Sequence, residues 1–244
     1  MRNLRLDICY EGTRYRGWQR LSSTDNTIQE KLERTLSRIL GEDITVSASG
    51  RTDAGTHAKL QVLSFHCQSQ MPCDEILFQL RRYLPEDIGI YSCKNASERF
   101  RARLNAKTKT YIYRVWNSDA PCVFDRRFVY IDSRKVDISQ MNQAALHLLG
   151  EHDFSAFCAN KNTIKSTVRY IHQLSIHRDG DEIVFSVTGN GFLHHMVRII
   201  VGTLLEVGRG ERTPDSIPAL FSAVRADTGE LVPACGLCLM EVTY

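Results

Sequence analysis

The feature that most constrains this chain is an order of strands and helices that occurs twice. Leu4, Leu6 and Ile8 alternate with Arg5, Asp7 and Cys9, which marks a strand over Leu4–Tyr10. "TIQEKLERTLSRIL" (Thr27–Leu40) carries Ile28, Leu32, Leu36, Ile39 and Leu40 on one face at helical spacing. Strands over Ile44–Ser49 and Gln61–Cys67 follow, then a helix over Asp74–Leu84 closed by Pro85, then a strand over Ile88–Cys93. The second half reads as a strand over Thr110–Trp116, a helix over Ile138–Gly150, and strands "YIHQLSIHR" and "EIVFSVTG" joined at Asp179-Gly180-Asp181. A helix over Phe192–Gly208, a short helix over Pro214–Val224 and a last strand, "GLCLMEVTY", complete it. Each half therefore reads β-α-β-β-α-β. This predicts an α+β protein: two similar halves, residues 1–105 and 106–244, with mostly antiparallel sheets flanking a central cleft.

The halves show no sequence repeat, so only the pattern recurs. Apolar residues make up 43% of the chain, enough for a sizeable core, and the net charge of +3 is a weak pointer to a polyanionic partner. No apolar run approaches the length of a membrane span, and "MRNLRLDICYEGT" has no apolar signal core. The expectation is a cytoplasmic protein with no membrane partner. Its eight cysteines are then mostly small buried apolar residues in a reducing compartment. Cys235-Gly-Leu-Cys238 is half of a zinc pattern with no second half, so no metal is expected there.

Four stretches have the residue types for chemistry. In Gly50-Arg-Thr-Asp-Ala-Gly55, glycines bracket Arg51 and Asp53 between two strands. Glycine allows backbone conformations that a side chain forbids, so the stretch either holds Asp53 in a fixed pose or is an ordinary turn. "FRARLNAKTKTYIYRVW" interleaves Arg101, Arg103, Lys107, Lys109 and Arg114 with Phe100, Tyr111 and Tyr113. Lys107, Lys109, Tyr111 and Tyr113 share one strand face. Cations for phosphate beside rings for unpaired bases suit a nucleic acid, and an ordinary sheet face reads equally well. "YEGTRYRGWQR" sets Arg14, Arg16 and Arg20 among Tyr10, Tyr15 and Trp18, as a phosphate-binding loop or a hairpin with exposed arginines. In "NGFLHHMVRIIVG", helical spacing sends His194 and His195 apart, which disfavours a shared ion. Arg198 lies among apolar residues with no acid from Phe192 to Gly202, so its carboxylate partner must come from elsewhere in the fold.

Together these residues resemble the TruA family of tRNA pseudouridine synthases, nearly end to end. "YEGTRYRGWQ" is similar to the family's N-terminal motif, "TIQEKLE" to its following helix, and "GRTDAGTHA" to its GRTDAGVHA. "FRARLNAKTKTYIYRVWN", "GEHDFSAF", "NGFLHHMVRIIVG" and "PACGLCLMEVTY" look like its later signatures, in order. The resemblance implies that Asp53 is the catalytic carboxylate, Tyr111 the tyrosine beside the uracil, and Arg198 the cation paired with Asp53. It implies that Arg51 helps displace the base, and that Arg14, Arg16, Arg20, Arg101, Arg103 and Lys107 hold RNA. The implied enzyme isomerises uridine to pseudouridine at about positions 38–40 of the tRNA anticodon stem-loop, as a homodimer, with no cofactor and no metal. The departures are Glu11 for Asp, Thr56 for Val, and Leu104-Asn105 for Phe-Ser; the last borders the tyrosine strand and bears on target range. Two alternatives compete: a non-catalytic RNA-binding protein of the same fold, and a glycoside-type hydrolase pairing Asp53 with Asp153.

Overall fold

A computed structural model describes residues 1–160 and 166–244. The chain forms two compact units, Met1–Lys107 with Leu239–Tyr244, and Thr108–Cys238. No described helix is long and apolar enough to cross a membrane.

In the first unit the order is β1 (Arg2–Tyr10), α1 (Ile28–Leu40), β2 (Ser47–Ala48), β3 (His57–Cys67), α2 (Cys73–Tyr83) and β4 (Ile88–Ala96). The central strand β1 pairs antiparallel with β3 on one side and β4 on the other. Its alternation is realised as written: Leu4, Leu6, Ile8 and Tyr10 are buried. Helix α1 buries Ile28, Leu32 and Leu36, and the Thr27 hydroxyl caps it by accepting from the Glu30 amide.

The predicted strand Ile44–Ser49 shrinks to Ser47–Ala48. The cause is side-chain competition for backbone groups. The amide of Ile44 donates to Ser37 Oγ and that of Val46 to Glu33 Oε1, both on α1. Glu33 is buried and also accepts from Gln29 and Arg20, so a paired carboxylate replaces the strand ladder.

The second unit contains β5 (Thr108–Trp116), β6 (Tyr130–Ile131), α3 (Ile138–Leu146), β7 (Gly150–Asp153), β8 (Val168–Asp179), β9 (Glu182–Gly189) and α4 (Met196–Gly208). Strands β5, β9, β8 and β7 are neighbours in that order, all antiparallel, and β6 adds a parallel pair to β5. The β8–β9 hairpin pairs Asp179 with Glu182, as the Asp-Gly-Asp turn predicts.

Three helices end differently from the sequence expectation. The Ile138–Gly150 helix stops at Leu146, and Gly150 instead opens β7. The Phe192–Gly208 helix starts only at Met196, because His195 is left-handed with φ 65°. The Pro214–Val224 helix is two 3₁₀ turns, Pro214–Ser216 and Pro218–Ser222; Pro218 has no N–H to continue a helix through it. The final strand, β10 (Leu237–Thr243), delivers its residues from Leu239 onward to the first unit, beside β3. There Tyr244 donates its hydroxyl to the Ala102 carbonyl, and Arg5 lies 4.9 Å from the centre of its ring.

Candidate active site

In the first unit, Asp53 sits in a turn closed by the Thr56 amide donating to the Asp53 carbonyl at 3.1 Å. The turn is held from outside by the segment that follows β1. The Trp18 amide donates to the Thr52 carbonyl at 3.0 Å, and the Tyr10 and Thr52 hydroxyls bond at 2.8 Å. Gly12 donates its amide to His57 Nδ1 at 3.0 Å, just beyond the turn. Gln61 reaches back from β3 to donate to the Gly50 carbonyl.

This contact explains two glycines outside the turn. A Cβ on Gly12 would fall 2.0 Å from the Thr56 carbonyl oxygen. One on Gly17, which has φ 96°, would fall 2.9 Å from the Thr52 carbonyl oxygen. Of the two glycines bracketing the turn, Gly55 has positive φ and Gly50 does not. Asp53 itself is half-buried, Thr52 and Thr56 are buried, and Arg51 is exposed.

The segment carrying Arg14, Arg16 and Arg20 is an irregular loop. It turns Tyr15 and Trp18 inward and all three arginines outward. Arg14 is engaged by Asp87 at 2.6 Å and Arg20 by Glu33 at 3.1 Å. Arg16, Arg51, Arg103 and Lys107 are exposed and form no ion pair with another described residue. Arg101 is also exposed, but its guanidinium donates to the carbonyls of Glu98 and Phe100.

In the second unit, Tyr111, Tyr113 and Val115 share the buried face of β5. Tyr111 meets the Phe192 ring edge-on at 5.3 Å. Tyr113 is fully buried, and its hydroxyl donates to the Pro233 carbonyl at 2.7 Å; burial pushes its pKa up. It is a core residue, and Tyr111 is the one at the edge of the packed face. Arg198 lies on α4, half-buried, with Nε donating to the Val232 carbonyl at 2.7 Å. The helical spacing assigned to His194 and His195 does not hold. Both precede the helix, and the left-handed His195 brings their ring centres to 3.7 Å, so the two rings are neighbours and not set apart.

Asp153 spends Oδ1 on the Ser155 amide at 2.8 Å, a turn-capping role. Cys235 donates its thiol to the Val129 carbonyl, and all eight cysteines are free; only Cys67, Cys93 and Cys158 are buried, the other five half-buried, so burial is less general than expected. Sequence reasoning missed Gly12, Gly17, Thr52, His57 and Phe192 as parts of these arrangements. The one signal for the first two was their placement around "TRYR".

The first unit thus clamps an aspartate turn against a glycine-bearing loop. The family described as tRNA pseudouridine synthase matches residues 8–105 and 144–244, and the chain belongs to that family. Its fold is the α+β pseudouridine synthase fold, and its class of reaction is isomerisation. A protein of Clostridium tetani called tRNA pseudouridine synthase A 1 is 45% identical over the whole of both chains. The Bacillus cereus tRNA pseudouridine synthase A 2 is 40% identical, and the Brevibacillus brevis tRNA pseudouridine synthase A 41% identical, again over both full lengths. A chain in a solved Cbf5–Nop10–Gar1 complex aligns with 97% of this one and 48% of its own, at 11% identity and a TM-score of 0.44, a likeness too slight to build on.

Proposed function

We propose that this synthase isomerises uridines at about positions 38–40 of the tRNA anticodon stem-loop, with Asp53 as the catalytic carboxylate. The observation that carries the reading is the clamped turn: three neighbouring elements fix the backbone around a half-buried acid. In the reaction the C1′–N1 bond breaks, the uracil turns over, and C1′–C5 forms. C5 then gives up its proton and N1 gains one, so nothing is oxidised and no group is lost. An ionised carboxylate serves either as nucleophile at C1′ or as base at C2′. Either role needs a fixed pose relative to the sugar, and the Gly12 and Gly17 contacts support one.

Tyr111 is the group to stack on the uracil and assist removal of the C5 proton. Its edge contact with Phe192 supports a fixed ring. In this reading Arg198 is the cation assigned to the reacting carboxylate, and Arg51, exposed two residues from Asp53, helps displace the base. Flipping a base out of a stem costs a few kcal/mol, which backbone contacts by the basic loops offset. In this reading the enzyme acts in the cytoplasm as a homodimer; the isomerisation is redox-neutral and balances with side chains alone, so it calls for no metal or cofactor.

Primer-extension mapping of pseudouridine, made visible as stops by carbodiimide treatment of the RNA, tests the reading on an unmodified tRNA, with parent enzyme and Asp53→Asn run side by side. New stops at about positions 38–40 with the parent and none with the variant are the expected result. Stops elsewhere overturn the target, and stops with both proteins overturn the role of Asp53.

A further inference from the structure

The segment between β1 and α1 has no ladder of its own, yet it presses on the Asp53 turn at two glycines. Something must hold that segment in place. Asp87, in the turn between α2 and β4, does so with four bonds. Its carbonyl accepts from the Glu11 amide at 2.9 Å. Oδ1 accepts from the Tyr15 hydroxyl at 2.6 Å, and Oδ2 from Arg14 Nε at 2.9 Å and Nη2 at 2.6 Å.

The Asp87 side chain is 7% exposed. A carboxylate that far from water is retained only if it is paired and hydrogen-bonded, and here every bond it makes goes to the same loop. Tyr15 is buried, and burial followed by the bond to Asp87 raises its pKa, so it remains a donor across the working range. The Tyr15 amide in turn donates to the Gly12 carbonyl at 3.0 Å. A continuous chain of contacts thus runs from Asp87 through Tyr15 to Gly12, and from Gly12 to Thr56 and His57.

We propose that Asp87 is a positioning residue for the catalytic turn, fixing the pose of Asp53 through the loop that carries Arg14 and Tyr15. This rests on the reading of Asp53 as the catalytic carboxylate. It also gives Arg14 a second employment, as a strut in the protein.

The test uses full-length Asp87→Ala and Tyr15→Phe enzymes and measures kcat, KM for tRNA, and amide exchange peptide by peptide. Misplacing a reacting group by about 1 Å costs up to about a hundredfold, so Asp87→Ala should lower kcat about tenfold or more. KM should stay within about threefold, because the exposed cations are intact. Exchange should quicken in residues 51–57 and remain at the parent rate in β5 and β9. Tyr15→Phe, which keeps the fold if Asp87→Ala does not, should show the same split at smaller amplitude. The double variant should be no worse than Asp87→Ala alone, since both act through one contact. A kcat within about twofold of the parent in both variants, or unchanged exchange in 51–57, overturns the proposal. Asp53→Asn, measured in parallel, separates the two ideas. If that variant keeps its rate, the reading of Asp53 has failed. If it is dead while Asp87→Ala and Tyr15→Phe are normal, only the positioning role has.

Discussion

The backbone amide of Gly12 donates to Nδ1 of His57 inside the protein, at 3.0 Å. The bond requires a lone pair on Nδ1, so His57 is neutral with its proton on Nε2. His57→Phe fills similar space but leaves a buried amide without this acceptor. The expected loss is about 1–3 kcal/mol of unfolding free energy, read from urea titration. A variant as stable as the parent would mean that water or a neighbouring carbonyl takes over.

Asp53→Asn keeps size and hydrogen bonding but removes the charge that nucleophilic attack or C2′ deprotonation requires. Modification should fall below detection. RNA affinity should stay within about tenfold, or 1.4 kcal/mol, because phosphate contacts lie on other residues. Filter binding and single-turnover assays read the two quantities separately. An affinity loss far beyond tenfold would make Asp53 a binding residue.

Where periodicity alone decides an element, the sequence was readable. The alternation in β1, the face of α1 and the Asp-Gly-Asp hairpin all came out as expected, because burial enforces each period. Elements governed by a remote partner were not. Strand β2 is cut short by Glu33, which lies 13 residues before the Val46 amide it captures. The late start of α4 depends on a left-handed histidine, a conformation that helical periodicity does not signal. At the site, motif order pointed to Asp53, but the clamp around it is made of backbone carbonyls of Thr52 and Thr56. Such contacts leave no mark in sequence except a glycine opposite.

Asp132 gives an acid-sensitive contribution to stability. Burial alone would raise its carboxyl, but bonds from the Arg134 side chain and backbone, with Arg209 nearby, hold it below the usual carboxylate range. A pKa lower in the folded than in the unfolded state adds stability that is fully present above the unfolded value, about 3.9. That stability is lost as pH falls through the folded value. Arg209 is itself buried, at 3.5 Å from Asp132. Arg209 keeps Glu211 at 2.7 Å and Arg134 is half exposed, so Asp132→Asn should cost about 1–3 kcal/mol at neutral pH and flatten the acid limb of a stability–pH curve. A limb as steep as the parent's would assign the acid sensitivity to other groups.

The ion pairs divide the basic residues into two groups, and salt dependence distinguishes them. The slope of log affinity against log salt counts phosphates neutralised, at about 0.7 per contact for single strands and 0.9 for duplex. Arg16, Arg51, Arg103 and Lys107 are exposed and unmatched by a carboxylate among the described residues, so each is free to take a phosphate. Arg20 faces Glu33 at 3.1 Å and Glu30 at 3.8 Å, and part of its field is already cancelled. Arg16→Ala should then reduce the slope by about 0.7–0.9, and Arg20→Ala by less than about half that amount. Fluorescence titrations with an anticodon stem-loop at several potassium chloride concentrations measure both. If Arg20→Ala lowers the slope as much as Arg16→Ala does, the RNA displaces Glu33 from Arg20 on binding, and the strand-replacing bond from Val46 to Glu33 should loosen with it.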